Sequence, residues 1–136
     1  MRLRTIWTVL VLLGFTVATY GQTKSVTAKI TDLKKVTTRV TNASSSSSSS
    51  CGTSDFPVYQ GTESKDVDIA DLTWISVRHD LTPSDPNYIK LELSFKDGSS
   101  GIYEMVRYIR FTGDTEDGSF AIMVKEINTI EIVQKL

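Results

Sequence analysis

The chain holds one histidine, His79, set in the tripeptide Arg78-His79-Asp80. An imidazole beside a carboxylate is a common general base, and a neighbouring guanidinium could hold an anion or tune the ring. Nucleophilic catalysis would need a nucleophile held against that base, and no G-x-S-x-G elbow is present. The plainer meaning of the tripeptide is a strand end whose histidine has an acidic neighbour. Two further acids, Asp71 and Glu126, recur in matching surroundings. They could pair as catalytic carboxylates, but a corner role, accepting backbone N–H groups as acids do in turns, already accounts for both. Asp114, Glu116 and Asp117 lie between Gly113 and Gly118 and offer the hard oxygen ligands that Ca²⁺ takes. Their spacing departs from the D-x-[DN]-x-[DN]-G loop, so a solvated acidic hairpin turn is the simpler reading.

One cysteine and one histidine cannot build a structural zinc site. No glycine-rich phosphate loop occurs, and no cofactor is expected. Trp74, Tyr59, Tyr88, Tyr103 and Tyr108 could form an aromatic platform for a sugar, although a tryptophan in a small β protein usually belongs to the core. The ligand-binding candidates are therefore Trp74, Arg78, His79 and Tyr88. Strict alternation puts Trp74 on the same face as Leu72 and opposite Ile75 and Val77. Asn42-Ala43-Ser44 matches a glycosylation acceptor, which matters only in a eukaryotic host.

The elements that carry these residues read as strands. β-branched residues and alternation dominate after residue 22, and helical periodicity is hard to find. Strands are expected at 25–31, 36–41, 58–60, 67–69, 72–78, 88–95, 101–111, 119–124 and 129–133. The stretch 88–95 alternates most cleanly, with Ile89, Leu91, Leu93 and Phe95 on one face and Lys90, Glu92 and Ser94 on the other. That pattern fits a sheet with one buried and one wet face. K-D-G-S-S-G (96–101) and G-D-T-E-D-G (113–118) are turn signals, and Pro83 and Pro86 mark a loop.

One pattern recurs: apolar, any, acid, apolar, two others, apolar. It appears as Ile30 to Val36 around Asp32, as Ile69 to Ile75 around Asp71, and as Val124 to Ile130 around Glu126. The second and third copies extend further, Val67 matching Ile122 and Val77 matching Ile132. They read as strand, corner, strand, and raise the alternatives of duplication or convergence of short corners.

The 136 residues bound one domain. A net charge of −1 argues against a dedicated nucleic-acid binder, which usually carries a basic stripe. Arg2 and Arg4 precede an apolar run, Ile6 to Phe15, and small residues follow at Ala18, Thr19 and Gly21. This is the layout of a cleavable signal peptide, with the cut expected after Gly21. The run is shorter than a bilayer span, so no stable membrane span is expected after cleavage. The leader resembles those of Gram-negative exported proteins of the Bacteroidetes type, in which glutamine often follows the cut, as Gln22 does here. Export would place Cys51 in an oxidising compartment, where a lone thiol is an incidental loop residue or forms an intermolecular disulfide.

The expected organisation is a signal peptide (1–21), an N-terminal hairpin (22–43), a serine-rich linker or mobile loop (44–55) and a β domain (56–136). The expected fold is an all-β, small antiparallel β-sandwich or partly open barrel of seven to nine strands, with the hairpin added at an edge. The expected function is that of a secreted or periplasmic, non-catalytic cell-envelope module binding a protein or glycan. The alternatives are a small envelope enzyme using His79 with nearby acids and a structural assembly subunit.

Overall fold

Apolar residues spaced three and then two apart, as in Leu72, Ile75 and Val77, fit neither a helix nor a regular strand. The computed structural model, which describes residues 25–46 and 55–133, accounts for the spacing with one extra strand residue. β5 (Leu72–Val77) slips register against its neighbour between Leu72 and Trp74. β10 (Ile127–Val133) slips in the same way, between the residues facing Thr31 and Asp32. A bulge moves the side-chain phase by one residue. Leu72, Ile75 and Val77 therefore all face the core, as do Ile127, Ile130 and Ile132. Trp74 is thrown to the outer face, 39% exposed, which corrects its expected place beside Leu72.

The other strands are β1 (Thr27–Asp32), β2 (Thr37–Ser45), β3 (Asp55–Gln60), β4 (Glu63–Asp68), β6 (Tyr88–Phe95), β7 (Ser100–Val106), β8 (Arg110–Thr115) and β9 (Gly118–Met123). All pairings are antiparallel, and the order is β4-β3-β7-β6-β5-β10-β1-β2-β8-β9. The fold is all-β and antiparallel, as expected, and consists of one ten-stranded sheet curled into a half-barrel. The expected single strand 101–111 is two strands, because residues 107–109 carry the chain from one half of the sheet to the other. The N-terminal hairpin is not an edge: β1 lies between β10 and β2, and β2 between β1 and β8. Ser44 and Ser45, the start of the serine run, belong to β2, and Ser45 is buried.

The strand order reads the same from both ends. A constant step of 55 residues takes Phe56 to Phe111, Ile75 to Ile130 and Val77 to Ile132, and so β3, β4 and β5 to β8, β9 and β10. A step of 63 takes β1 and β2 to β6 and β7, as Ile30 to Leu93 and Thr41 to Glu104. The registers obey both steps at once: Tyr59 faces Glu104 as Asp114 faces Thr41, and Ile75 faces Leu93 as Ile130 faces Ile30. The steps differ by eight residues, the length of segment 47–54. The chain is thus two consecutive repeats, β1–β5 and β6–β10, that have exchanged hairpins. β6 and β7 complete the half built on β3–β5, while β1 and β2 complete the half built on β8–β10.

The approximate two-fold axis passes between β5 and β10, where the equivalent residues Ile75 and Ile130 pair directly, both fully buried. The equivalent rings of Phe56 and Phe111 meet edge to face at 5.4 Å. Burying such side chains contributes about 1.5–3 kcal/mol each, and these four do so across the seam between the halves. The hairpin turns match as well: Gly98 (φ 92°) corresponds to Lys35 (φ 67°). A lysine in the left-handed region is strained. Here the Asp32 carboxylate offsets the strain by accepting from the Lys34 and Val36 N–H groups at 2.9 and 3.0 Å.

Candidate functional site

The recurring corners place the acids. Short 3-10 turns join β4 to β5 (Ile69–Asp71) and β9 to β10 (Val124–Glu126). Asp71 and Glu126 end these turns with exposed side chains. Their carboxylates take no backbone N–H at the corner; Asp68 does, accepting from Ala70 N at 2.9 Å. The two acids act instead through their backbone carbonyls, which accept from Lys96 N (2.9 Å) and Leu33 N (3.1 Å) at equivalent places in the two halves. The turns lie in different halves of the sheet, so the two carboxylates do not form a pair.

Each corner borders a cleft, and the two clefts are equivalent. One, of about 370 Å³, is lined by Val67, Asp71, Phe95, Lys96 and Asp97 among others. The other, of about 420 Å³, is lined by Ile122, Glu126, Asp32, Leu33 and Lys34, the same positions under the two steps. Asp97 is held below the ordinary carboxylate range by hydrogen bonds from the Ser99 hydroxyl and N–H. Asp55 is pushed up by desolvation and then by the negative charges of Asp68, Asp66 and Asp71.

His79 lines neither cleft. It follows β5, and its Nε2 lies 2.8 Å from the Ile127 carbonyl oxygen. A carbonyl only accepts, so Nε2 carries the hydrogen and the ring ties the end of β5 to β10. Arg78 grips Asp80 through two hydrogen bonds (2.9 and 2.8 Å) and Glu92 through one (3.1 Å). The Arg78 hydrogen bonds hold the Asp80 carboxyl below its usual range, and the same carboxylates raise the Arg78 guanidinium. With its fork committed to carboxylates, Arg78 is not poised for an external anion.

The aromatic candidates do not gather into one platform. Tyr88 stacks on Tyr59 (centroids 5.4 Å, planes 28° apart), whereas Trp74 stands in the row of Ser94 and Glu131. Tyr103 packs against the core beside Phe95. Tyr108 is exposed between the cations of Arg107 and Lys125. Asp114, Glu116 and Asp117 lie at the β8–β9 turn, and Asp114 accepts from Asn42 Nδ2 at 3.0 Å. No group of three metal-ligating side chains converges among the described residues. Cys51 and the leader lie outside the described residues. No helix among the described residues is long and apolar enough to cross a membrane.

The two ends of the sheet remain, and sequence reasoning missed both. β4 and β9 occupy equivalent positions, each pairing with one neighbour only. β4 reads E-S-K-D-V-D, with four charges in six residues, whereas β9 reads G-S-F-A-I-M, with none. Where Lys65 on β4 covers the rings of Phe95 and Tyr103 (5.1 and 5.8 Å), β9 has Phe120. Phe120 and Ile122 pack against the core but stay partly exposed. Charged residues blunt sheet edges, and β9 has no such protection, no proline and no bulge. The signal lay in the repeat itself, since the 55-residue step aligns the two strands and exposes their contrast. Comparison of the chain with protein-family models, with curated proteins and with solved structures gives no match.

Proposed function

We propose that the protein is an exported, non-catalytic module of the cell envelope that binds a protein partner by strand addition at β9. The observation that carries this reading is the contrast between the equivalent edges, charged at β4 and uncharged at β9. An unblunted edge is a template for an added strand, with main-chain hydrogen bonds supplying affinity and side-chain contacts supplying selectivity. The commitments of His79 and Arg78 to structural partners weigh against an enzyme built on them. The test is site-specific photocrosslinking in envelope extract from residue 121 on β9 and, as its matched control, from residue 66 on β4. Adducts from position 121 and not from 66 are expected; equal labelling, or none, refutes the reading. A second reading, glycan contact at a single ring on the outer face, is favoured by the exposure of Trp74. It predicts that envelope polysaccharide quenches Trp74 fluorescence.

A further inference from the structure

The backbone of β9 specifies its own pairing register. Arg110 accepts from Ser46 N (2.8 Å) and donates its N–H to Ser46 Oγ (3.0 Å), so its polar groups point toward β2. Alternation along β8 then turns Phe111, Gly113 and Thr115 toward their partners Ile122, Phe120 and Gly118. The N–H and C=O groups of Ser119 and Ala121 and the N–H of Met123 are left pointing away from the sheet, whereas the Met123 carbonyl, at the start of the turn Val124–Glu126, accepts within that turn. The free groups centre on Ala121.

We propose that the strand added at β9 is β9 of a second copy, antiparallel, with Ala121 facing Ala121 across a two-fold axis. This rests on the strand-addition reading above and names its partner. In this register the Met123 N–H donates to the Ser119 carbonyl of the second copy and the reverse, and the two Ala121 residues exchange N–H and C=O, which makes four bonds across the axis. Phe120 falls opposite Ile122 of the second copy, which covers what remains exposed of these two partly buried side chains. The small Ala121 side chains meet at the axis without crowding.

Charge selects this partner and this direction. The β8–β9 turn carries Asp114, Glu116 and Asp117 with Arg39 beside them, whereas the other end of the strand is flanked by Arg107, Arg110 and Lys125 with Glu126 next to Lys125, so the two ends are opposite in sign. Antiparallel self-pairing sets the acidic end of each copy against the basic end of the other, with Asp117 approaching Lys125. Parallel pairing would set like charges together. The pairing also repeats at a new place what the chain does within itself, where the equivalent strands β5 and β10 meet antiparallel on an axis.

Sedimentation velocity of the purified protein, up to about 100 µM, tests the proposal. A concentration-dependent dimer is expected, weakened by salt. Ala121→Pro removes the central outward N–H at an edge where proline costs no internal ladder bond. It should give a folded monomer with its unfolding midpoint retained. Asp117→Lys and Lys125→Glu should each weaken association by about tenfold, and the two together should restore it. A wild type that stays monomeric, or a dimer indifferent to Ala121→Pro, overturns the inference. If a monomeric protein still crosslinks from position 121 to a different protein, self-pairing falls and the strand-addition reading stands.

Discussion

Replacing Gly113 with alanine sets two physical effects against each other, and the structure decides between them. Gly113 is in the middle of β8, where glycine is conformationally costly, and alanine should gain about 0.5–1 kcal/mol on that ground alone. A Cβ built there, however, would lie 2.7 Å from Val40 Cβ, 2.9 Å from Val40 Cγ2 and 3.0 Å from the Thr41 carbonyl oxygen. Val40 is fully buried, and the carbonyl belongs to the paired strand β2. Neither can swing aside as the end of a long side chain would. Overpacking of this kind costs about 1–3 kcal/mol. With a backbone atom among the contacts the upper end applies, which leaves a net loss of about 2 kcal/mol after the entropic gain is subtracted. Reversible urea unfolding, followed by circular dichroism, measures it as a lowered midpoint at unchanged slope. Position 113 corresponds to Val58 in the other half, which is buried with a full side chain. Glycine is thus demanded by the close approach of β2, not by the strand. A Gly113→Ala protein as stable as the wild type, or more so, would refute the reasoning.

Other outcomes follow from the same contacts. Asp32→Ala should cost about 1 kcal/mol, because the Lys34 and Val36 N–H groups lose their acceptor. Asp71→Asn and Glu126→Gln should stay within about 0.5 kcal/mol of the wild type by the same urea assay, and a larger loss would mean these carboxylates are bonded after all. Ile75→Ala and Ile130→Ala should each cost about 2–5 kcal/mol. The double variant should deviate from additivity by about 0.5 kcal/mol or more, since the two side chains face one another; strict additivity would deny the seam. Carboxyl NMR titration should find Asp80 below its unfolded value and Asp55 above. The contribution of Asp80 is then present above the unfolded value of about 3.9 and lost as pH falls through the folded one. That of Asp55 has the opposite sign, present at low pH and lost as pH rises through its folded value. Asp55→Asn should therefore be neutral or stabilising at pH 7, and a loss of stability there would contradict the sign.

The strands were legible wherever alternation was unbroken, as in Tyr88–Phe95, and so was the matching of Val67 to Val77 with Ile122 to Ile132. What alternation could not show was the bulge at each start of β5 and β10, although a spacing of three then two encodes it. Reading Leu72 and Trp74 in strict period two put the tryptophan on the wrong face. The division of 101–111 was hidden because Arg107-Tyr108-Ile109 continues a strand-like composition while its backbone turns. The pattern puts an acid at each corner, but only coordinates distinguish a carboxylate that caps, Asp68, from one that points to solvent, Asp71. The hairpin's interior position was illegible for another reason: local pattern carries no information about which distant strand a segment will join. The edge contrast of β4 and β9 was present as plain composition, and acquired meaning only once the two strands occupied equivalent places.

The exchange of hairpins has a consequence for how the molecule is made. The half built from β3 to β7 is contiguous, so it can close once Val106 has been synthesised. β1 and β2 emerge first, yet their partners come last, residue 27 facing residue 133. Closing so long a loop is entropically costly and slow. The early hairpin must wait with both of its edges open while an entire half assembles downstream. Refolding should accordingly show a fast phase reported by Trp74 in the contiguous half and a slower one in which the first strands made become the last to dock. During that interval the chain exposes more unpaired edge than the finished sheet does, and that is its most vulnerable stage.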